Sequence, residues 1–458
     1  MLAIHADTTL SRRRLLTVGG LALGGFSLSN LFAADSSAKL HTGKSVIFLF
    51  QQGGPSQFET FDPKPDAAAE IRTVTGVTKT ALPGVIFADG LEQMAKHADK
   101  FTVVRSYATG NGEHNIKPIV GPDSLNASLG AIYSRVVGPT HPVTSVPTSG
   151  VIFPQSVDPT VAKGVGRGDL AATGNVGGAF APFVAGGTGQ LQKNLRLALP
   201  TDQFSDRRQL LSRFDDLRRD TEPQFDQYDQ MQRQACEVLL SGSVADALDL
   251  TREDPKTLAK YDTAHLAAKD GWAKARRGQK GYYTGHARAI GKSLLLARRL
   301  CEAGCGFVTI HTGYEGIWDL HADGENLNMA EGADAVTKPF DHAVAAFIAD
   351  VEARGLSDKI LLVATGEMGR TPRLNKNGGR DHWTKLTPLL LYGGGMPRGK
   401  VIGRSTKDGG EPDEDACDTP NLVSTLLHTV FDVSQVRLKP ALSAIAKLGE
   451  EKSIPGVG

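Results

Sequence analysis

Three short stretches of this chain carry acids and imidazoles at spacings that suit a metal ion. In "IWDLH", Asp319 and His321 stand two positions apart. Alternate side chains of an extended segment share a face, so both can reach one ion. In "GGRDHW", Asp381 and His382 are adjacent. A strand would point them oppositely, whereas a glycine-rich loop lets them serve two neighbouring metals. Carboxylate oxygen with imidazole nitrogen suits zinc, manganese or iron. Glu367 closes an apolar run, where an unpaired carboxylate is costly, so a cation or the nearby Arg370 must balance it. That makes Glu367 a further ligand or a base, while Arg370 and Arg380 are bidentate donors for negative oxygens. His114, in "NGEHN", reads as a donor to an anionic substrate, a metal ligand or an ordinary surface histidine. Either acid–histidine pair taken singly also fits a structural loop; their joint placement is what favours metal.

The elements around them supply that placement. "KSVIFLF", "KFTVVRSY", "FVTIHTG", "KILLVATGE" and "LTPLLLYGGG" are apolar runs bounded by turn residues, the pattern of buried parallel strands. Residues 201–303 read as mainly helical, a further helix is expected over 334–354, and "GKVIGRS" looks like a short hairpin. A last helix opens at "TPNLVSTLLHTVF" with Thr419 as cap and Pro420 in the first position. Residues 140–200, rich in Gly, Pro and Thr, read as loop. Alternating strands and helices give a mostly parallel sheet covered on both faces, with ligands gathering beyond the carboxyl ends of the strands. Just past those ends lie Gln51, Gln52, Ser56 and Asp62; then Ser106, Thr109 and His114; then His311, Asp319 and His321; then Glu367 and Arg370. Arg380, Asp381 and His382 precede the fifth strand.

Composition narrows the classes. The 458 residues are 40% hydrophobic and 22% charged, enough to bury a large core. Net charge is +1, from 51 basic and 50 acidic residues, so no basic excess points to nucleic acid. The opening "SRRRLLTVGGLALGGFSLSNLFAAD" has the layout of a twin-arginine export signal, with Ser11, Arg12, Arg13, Leu15 and Leu16 on its pattern and cleavage near Ala33 or Ala34. An uncleaved amphipathic anchor is the alternative. Four cysteines do not make a disulfide framework here; Cys301 and Cys305 are buried small residues or, alternatively, soft ligands.

Two stretches mimic phosphate loops. "GGMPRGK" has Val401 where Ser or Thr must hold magnesium, and "GHARAIGKS" has one residue too many and no strand before it. Neither supports nucleotide hydrolysis. Trp318 and Trp383 flank the two metal-type motifs and either pack the loops or line a sugar or aryl site.

"FLFQQGGPSQFETFDPKP", "KFTVVRS", "IWDLH", "GEMGRTPRLNKNGGRDHW" and "LLLYGGGMPRGKVIGRSTKDG", with the twin-arginine leader, resemble the bacterial family DUF1501 over residues 44 to 440. That family is similar to the alkaline phosphatase and sulfatase superfamily. The resemblance implies a three-layer α/β/α sandwich, alkaline phosphatase-like, with metals at the carboxyl edge of a mostly parallel sheet. It implies Asp319 and His321 as one metal-binding group, Asp381 and His382 as a second, and Glu367 as an acidic partner. The sequence departs from such enzymes after the first strand, where Gln51 and Gln52 stand in place of an acidic ligand, and it shows no evident nucleophile beyond Thr109, Ser106 and Ser56. The expectation is a leader over 1–34, then one domain over 44–450 with a loop-rich and helical insertion at about 140–285. Its activity would be that of an exported, periplasmic metal-dependent hydrolase of phosphate or sulfate esters. Asp319, His321, Asp381 and His382 would hold a divalent metal, zinc first, with calcium, manganese or magnesium as alternatives. Glu367, Arg370, Arg380 and His114 would act on a small anionic ester or a sulfated or phosphorylated saccharide, with no nucleic-acid partner and membrane contact only through the export route. The alternative is an envelope or binding protein that keeps the fold without turnover.

Overall fold

A computed structural model describes residues 40–161, 167–185, 242–267, 277–314, 316–324 and 326–457. The expected export leader lies outside them, as does much of the expected insertion. Among the described residues, no helix is long and apolar enough to cross a membrane.

Eight strands form the main sheet: β1 (Ser45–Phe50), β2 (Phe101–Val104), β3 (Ser149–Ile152), β4 (Phe183–Ala185), β5 (Phe307–His311), β6 (Ile360–Thr365), β7 (Leu389–Gly393) and β8 (Lys400–Ile402). Their order is β8-β2-β7-β6-β1-β5-β3-β4. All neighbours are parallel except β7, which runs antiparallel to both β2 and β6. Central β1 pairs Phe50 with His311 on one side and with Thr365 on the other.

The central strands are mainly apolar because both faces of the sheet are covered. Ile47 and Leu49 enter one core with Leu294 and Leu295 of helix α2 (Arg277–Glu302) and Phe340 and Phe347 of helix α3 (Met329–Ala353). Helices α1 (Leu129–Val137) and α4 (Thr419–Val430) place Ile132, Leu422 and Leu426 in a second core with Val46, Phe48 and Phe50. Burying one such phenylalanine contributes about 1.5–3 kcal/mol. The protein is therefore a three-layer α/β/α fold with a mostly parallel sheet, as the alternation of elements predicts.

Several local expectations change. The text of 140–200 holds β3 and β4, strands too short to stand out among the Gly and Pro around them. The second strand ends at Val104, and Tyr107–Ala108 pairs separately with Cys417–Asp418. "GKVIGRS" is no hairpin: Lys400–Ile402 extends the main sheet, while Arg404–Ser405 pairs with Pro412–Glu414. Helix α3 starts earlier than expected, capped by Asn328, whose side chain accepts from Glu331 N. Helix α4 is capped by Asp418, which accepts from Asn421 N, so Pro420 is its second residue.

The antiparallel course of β7 decides where the chemistry falls. Loops that follow β1, β2, β5 and β6 emerge at one edge of the sheet, and the loop that precedes β7 arrives at that same edge. His382 therefore joins residues that follow the parallel strands.

Candidate metal centre

Asp319, in the loop after β5, is the hub. It is 4% exposed. Its Oδ2 lies 3.0 Å from His114 Nε2 and 2.8 Å from His321 Nε2. Its Oδ1 lies 3.3 Å from His382 Nε2. Three imidazoles from three separate loops thus turn the same nitrogen toward one buried carboxylate. Ligand atoms of His114, Asp319 and His382 all lie within 4.8 Å of one another.

Two of these rings are locked by their other nitrogen. His382 Nδ1 is 2.9 Å from Gly112 O, a carbonyl that can only accept, so Nδ1 carries the proton. His114 Nδ1 is 3.0 Å from Glu367 Oε1, which also accepts from Gly53 N at 2.8 Å. Each Nε2 then presents a lone pair to an oxygen that is itself an acceptor. Either a proton on each ring or one shared cation must stand between them. An oxygen-bonded Nδ1 with a free Nε2 is the usual support of a metal-ligating histidine; the nitrogens of His114 and His382 with an Asp319 oxygen form a donor set that suits zinc, while His321 reaches Asp319 Oδ2 from outside that set.

The electrostatics agree. Burial would raise the Asp319 carboxyl, but Arg370 first, then His114, His321 and His382, hold it far below the ordinary range. Burial disfavours the His114 imidazolium, yet its hydrogen bonds to Asp319 and Glu367 outweigh that and push its pKa up to about 9. His321 is raised as well, chiefly by its hydrogen bond to Asp319. A raised pKa means that the charged His114 stabilises the metal-free fold fully below the unfolded value of about 6.5 and stops doing so as pH rises through about 9. Metal must displace that proton. Zinc affinity of the stripped protein should therefore rise about tenfold per pH unit toward pH 9 and then level off. Calorimetric titration in buffers of different ionisation enthalpy checks this through the protons released.

A sequence model of the family described as "Protein of unknown function (DUF1501)" matches residues 43–440. The chain belongs to this family. No curated protein matches it. Among solved structures it is similar to the PsFucS1 sulfatase of Pseudoalteromonas sp., at 10% identity over 86% of this chain and 74% of that one, with a TM-score of 0.30. It is also similar to the alkaline phosphatase of the Antarctic bacterium TAB5, at 14% identity over 81% of this chain and 96% of that one, with a TM-score of 0.27. A third is the phosphonate monoester hydrolase SpPMH of Silicibacter pomeroyi, at 11% identity over 84% and 72%, with a TM-score of 0.28. Likenesses this distant carry nothing about activity.

Not every residue of the expected site reaches the centre. His382–Trp383 pairs antiparallel with Gly369–Arg370. The segment is extended, so the neighbour of His382 points away. Asp381 is exposed, and its Oδ1 accepts from Asn375 Nδ2 at 2.8 Å. Asp381→Ala should keep full metal content, and His382→Ala should lose most of it; elemental analysis of the two purified variants distinguishes them.

The arginines are turned inward. Arg380 is 0% exposed and forks onto both oxygens of Glu59 at 3.2 Å, with its guanidinium 4.2 Å over the Phe58 ring. It also donates to Ile71 O and Arg72 O at 2.8 and 2.9 Å. It clamps the loop rather than facing the cluster. Arg370, also fully buried, donates to Asp319 Oδ1 at 2.6 Å.

The two glycines before Arg380 have separate reasons. Gly378 has φ +78°, and a Cβ on Gly379 would come within 2.3 Å of the His321 carbonyl carbon. That contact lets the loop bearing His382 lie directly on the one bearing His321.

The amides after β1 are placed as well. Gln52 Oε1 lies 2.8 Å from His311 Nε2, and its Nε2 donates to Asn115 O and Arg167 O. Burial pushes His311 down to about 4, so the ring is neutral and structural. Glu367, two residues past the end of the neighbouring strand β6, reaches Gly53 and brings an acid to the loop after β1. Asp62 serves elsewhere, beside Lys64 and Ser405. Trp318 packs edge-to-face on Phe340, and Trp383 Nε1 donates to Gly410 O at 2.6 Å.

Two residues escaped the sequence reading. Asn326 Nδ2 lies 3.0 Å from Asp319 Oδ2 and 3.2 Å from His321 Nε2. Glu59 is the counter-ion of Arg380. Nothing marks a loop asparagine five residues past His321. The Glu59–Arg380 pair spans 321 positions, beyond any local pattern.

Proposed function

We propose that the protein is an exported, metal-dependent hydrolase of phosphate or sulfate esters, acting on small anionic esters that include sulfated or phosphorylated saccharides. The observation that carries this reading is the convergence of three imidazole nitrogens on one buried carboxylate at the edge where a parallel sheet presents its ligands. His114, Asp319, His321 and His382 would hold the ion. Three nitrogens favour zinc over calcium or magnesium, which take oxygen ligands. A divalent ion bound there supplies Lewis-acid polarisation of the ester oxygen and a water of lowered pKa.

The chain's own groups position and shield. Glu367 fixes the His114 ring, and its second oxygen, Oε2, is buried without a hydrogen-bond partner among the described residues. Burial raises the Glu367 carboxyl, against the lowering effect of its hydrogen bonds with His114 and Gly53 N. The three hydroxyls named from the sequence all donate elsewhere: Thr109 to Glu367 O, Ser106 to Asp415 O and Ser56 to Glu59. That favours water over a side-chain hydroxyl as the attacking group.

The same observation also fits a second reading, a binding protein that holds metal without turnover. The two are separated by assaying the zinc-loaded and chelator-stripped chain on aryl phosphates, aryl phosphodiesters and aryl sulfates. Hydrolysis that needs the ion and disappears in His382→Ala supports the enzyme. Full metal occupancy with no turnover on any ester leaves the binding protein.

A further inference from the structure

Two acid–histidine motifs suggest two ions, yet the geometry points elsewhere. We propose that the centre holds one divalent ion, and that Arg370 is the fixed positive charge that reserves Asp319 Oδ2 for it. This rests on the metal reading above and goes further, to the number of ions and to a positioning residue.

Arg370 is held rigidly. Its side chain is 0% exposed. Nε donates to Gly54 O at 2.8 Å, Nη1 to Arg380 O at 3.1 Å, and Nη2 to Gly53 O and to Asp319 Oδ1 at 2.6 Å. Its main chain is gripped by Gln57, which accepts from Arg370 N at 3.0 Å and donates to Arg370 O at 2.7 Å. A guanidinium anchored on three carbonyls cannot swing aside to admit an ion. Its charge also repels any second cation that would approach Oδ1.

Asp319 therefore has two unlike oxygens. Oδ1 is engaged by a permanent cation, with His382 Nε2 3.3 Å away. Oδ2 faces His114 and His321, with Asn326 Nδ2 steadying it. A carboxylate pinned this way binds a metal through one oxygen only, which keeps the coordination number low.

No second donor set is assembled among the described residues. Asp381 is turned outward onto Asn375, Asp62 is engaged by Lys64 and Ser405, and Gln52 is held between His311 and two carbonyls. Asp323 Oδ2 lies 3.5 Å from His321 Nε2 and so belongs to the same centre, and Glu367 Oε2, without a hydrogen-bond partner among the described residues, is a single oxygen, which does not hold an ion.

The test uses the full chain, stripped with a chelator, reloaded with excess zinc, freed of unbound metal and analysed for zinc per chain. One ion is expected. Two ions would overturn this inference and leave the hydrolase reading standing; none would overturn both. The role of Arg370 is read with cobalt(II), whose visible bands are intense in four-coordinate sites. Arg370→Met frees Oδ1 to join Oδ2 on the ion, so the bands should weaken several-fold at full occupancy. Bands of undiminished intensity in that variant would refute the positioning role. If Arg370→Met does not fold, Arg370→Gln, which keeps a hydrogen bond without the charge, takes its place with the same expectation.

Discussion

Asp319→Ala should empty the centre of metal and abolish hydrolysis, and it should also weaken the fold. The two losses have different origins. Metal is lost because the three imidazoles keep no anion to gather round, and their lone pairs face a gap. Stability is lost because Arg370 stays buried with its charge uncompensated. Stranding one member of a buried ion pair typically costs about 3–5 kcal/mol. Elemental analysis reads the first loss, and urea unfolding of the metal-free protein reads the second. Asp319→Asn separates them, since its amide oxygen still accepts from Arg370 while a neutral group is a poor ligand. That variant should lose metal but keep more of the stability. A fully stable Asp319→Ala protein with normal metal content would remove Asp319 from the hub.

Arg380→Met should produce a large effect of another kind. Arg380 bonds both oxygens of Glu59 and the carbonyls of Ile71, Arg72, Thr371 and Pro372 while lying over Phe58. Its removal leaves a buried carboxylate supported only by Ser56 and by Val74 N. We expect a destabilisation of about 3–5 kcal/mol, seen as a lower urea midpoint with an unchanged slope. The folded fraction should still hold its metal, because the hydrogen bonds of the Arg380 guanidinium go to Glu59 and to four carbonyls, none of them on a cluster side chain. Pairing the change with Glu59→Leu should recover part of the loss, since the two residues form one buried unit. An unchanged midpoint combined with a raised KM would instead mean that Arg380 faces substrate oxygens.

That contrast shows what the sequence could and could not reveal. Strands β1, β5, β6 and β7 were legible as apolar runs because central strands covered on both faces, the antiparallel β7 included, have no polar side to disguise them. The rim position of Asp319, His321, His382 and Glu367 followed from those strands. Which way each rim side chain turns did not. Asp381 and His382 were readable as a loop pair, but a two-residue ladder with Gly369–Arg370 makes them extended and sends them apart. The arginines looked like anion donors from their place after strands. Their inward turn depends on Glu59 and on the Gly53 and Gly54 carbonyls, hundreds of positions away in the chain. His114 was one of several readings of a loop histidine until Glu367 and Asp319 were seen on its two nitrogens. Strands β3 and β4 stayed hidden because three or four residues give too short an apolar pattern to rise above Gly- and Pro-rich text.

One cation is expected where His114, Asp319 and His382 meet, with His321 beside it. Crystals of the zinc-loaded protein, measured on both sides of the zinc absorption edge, should show a single strong anomalous peak within bonding distance of Asp319 and of the Nε2 atoms of His114 and His382. A zinc peak elsewhere, or none in crystals of demonstrably loaded protein, would contradict it.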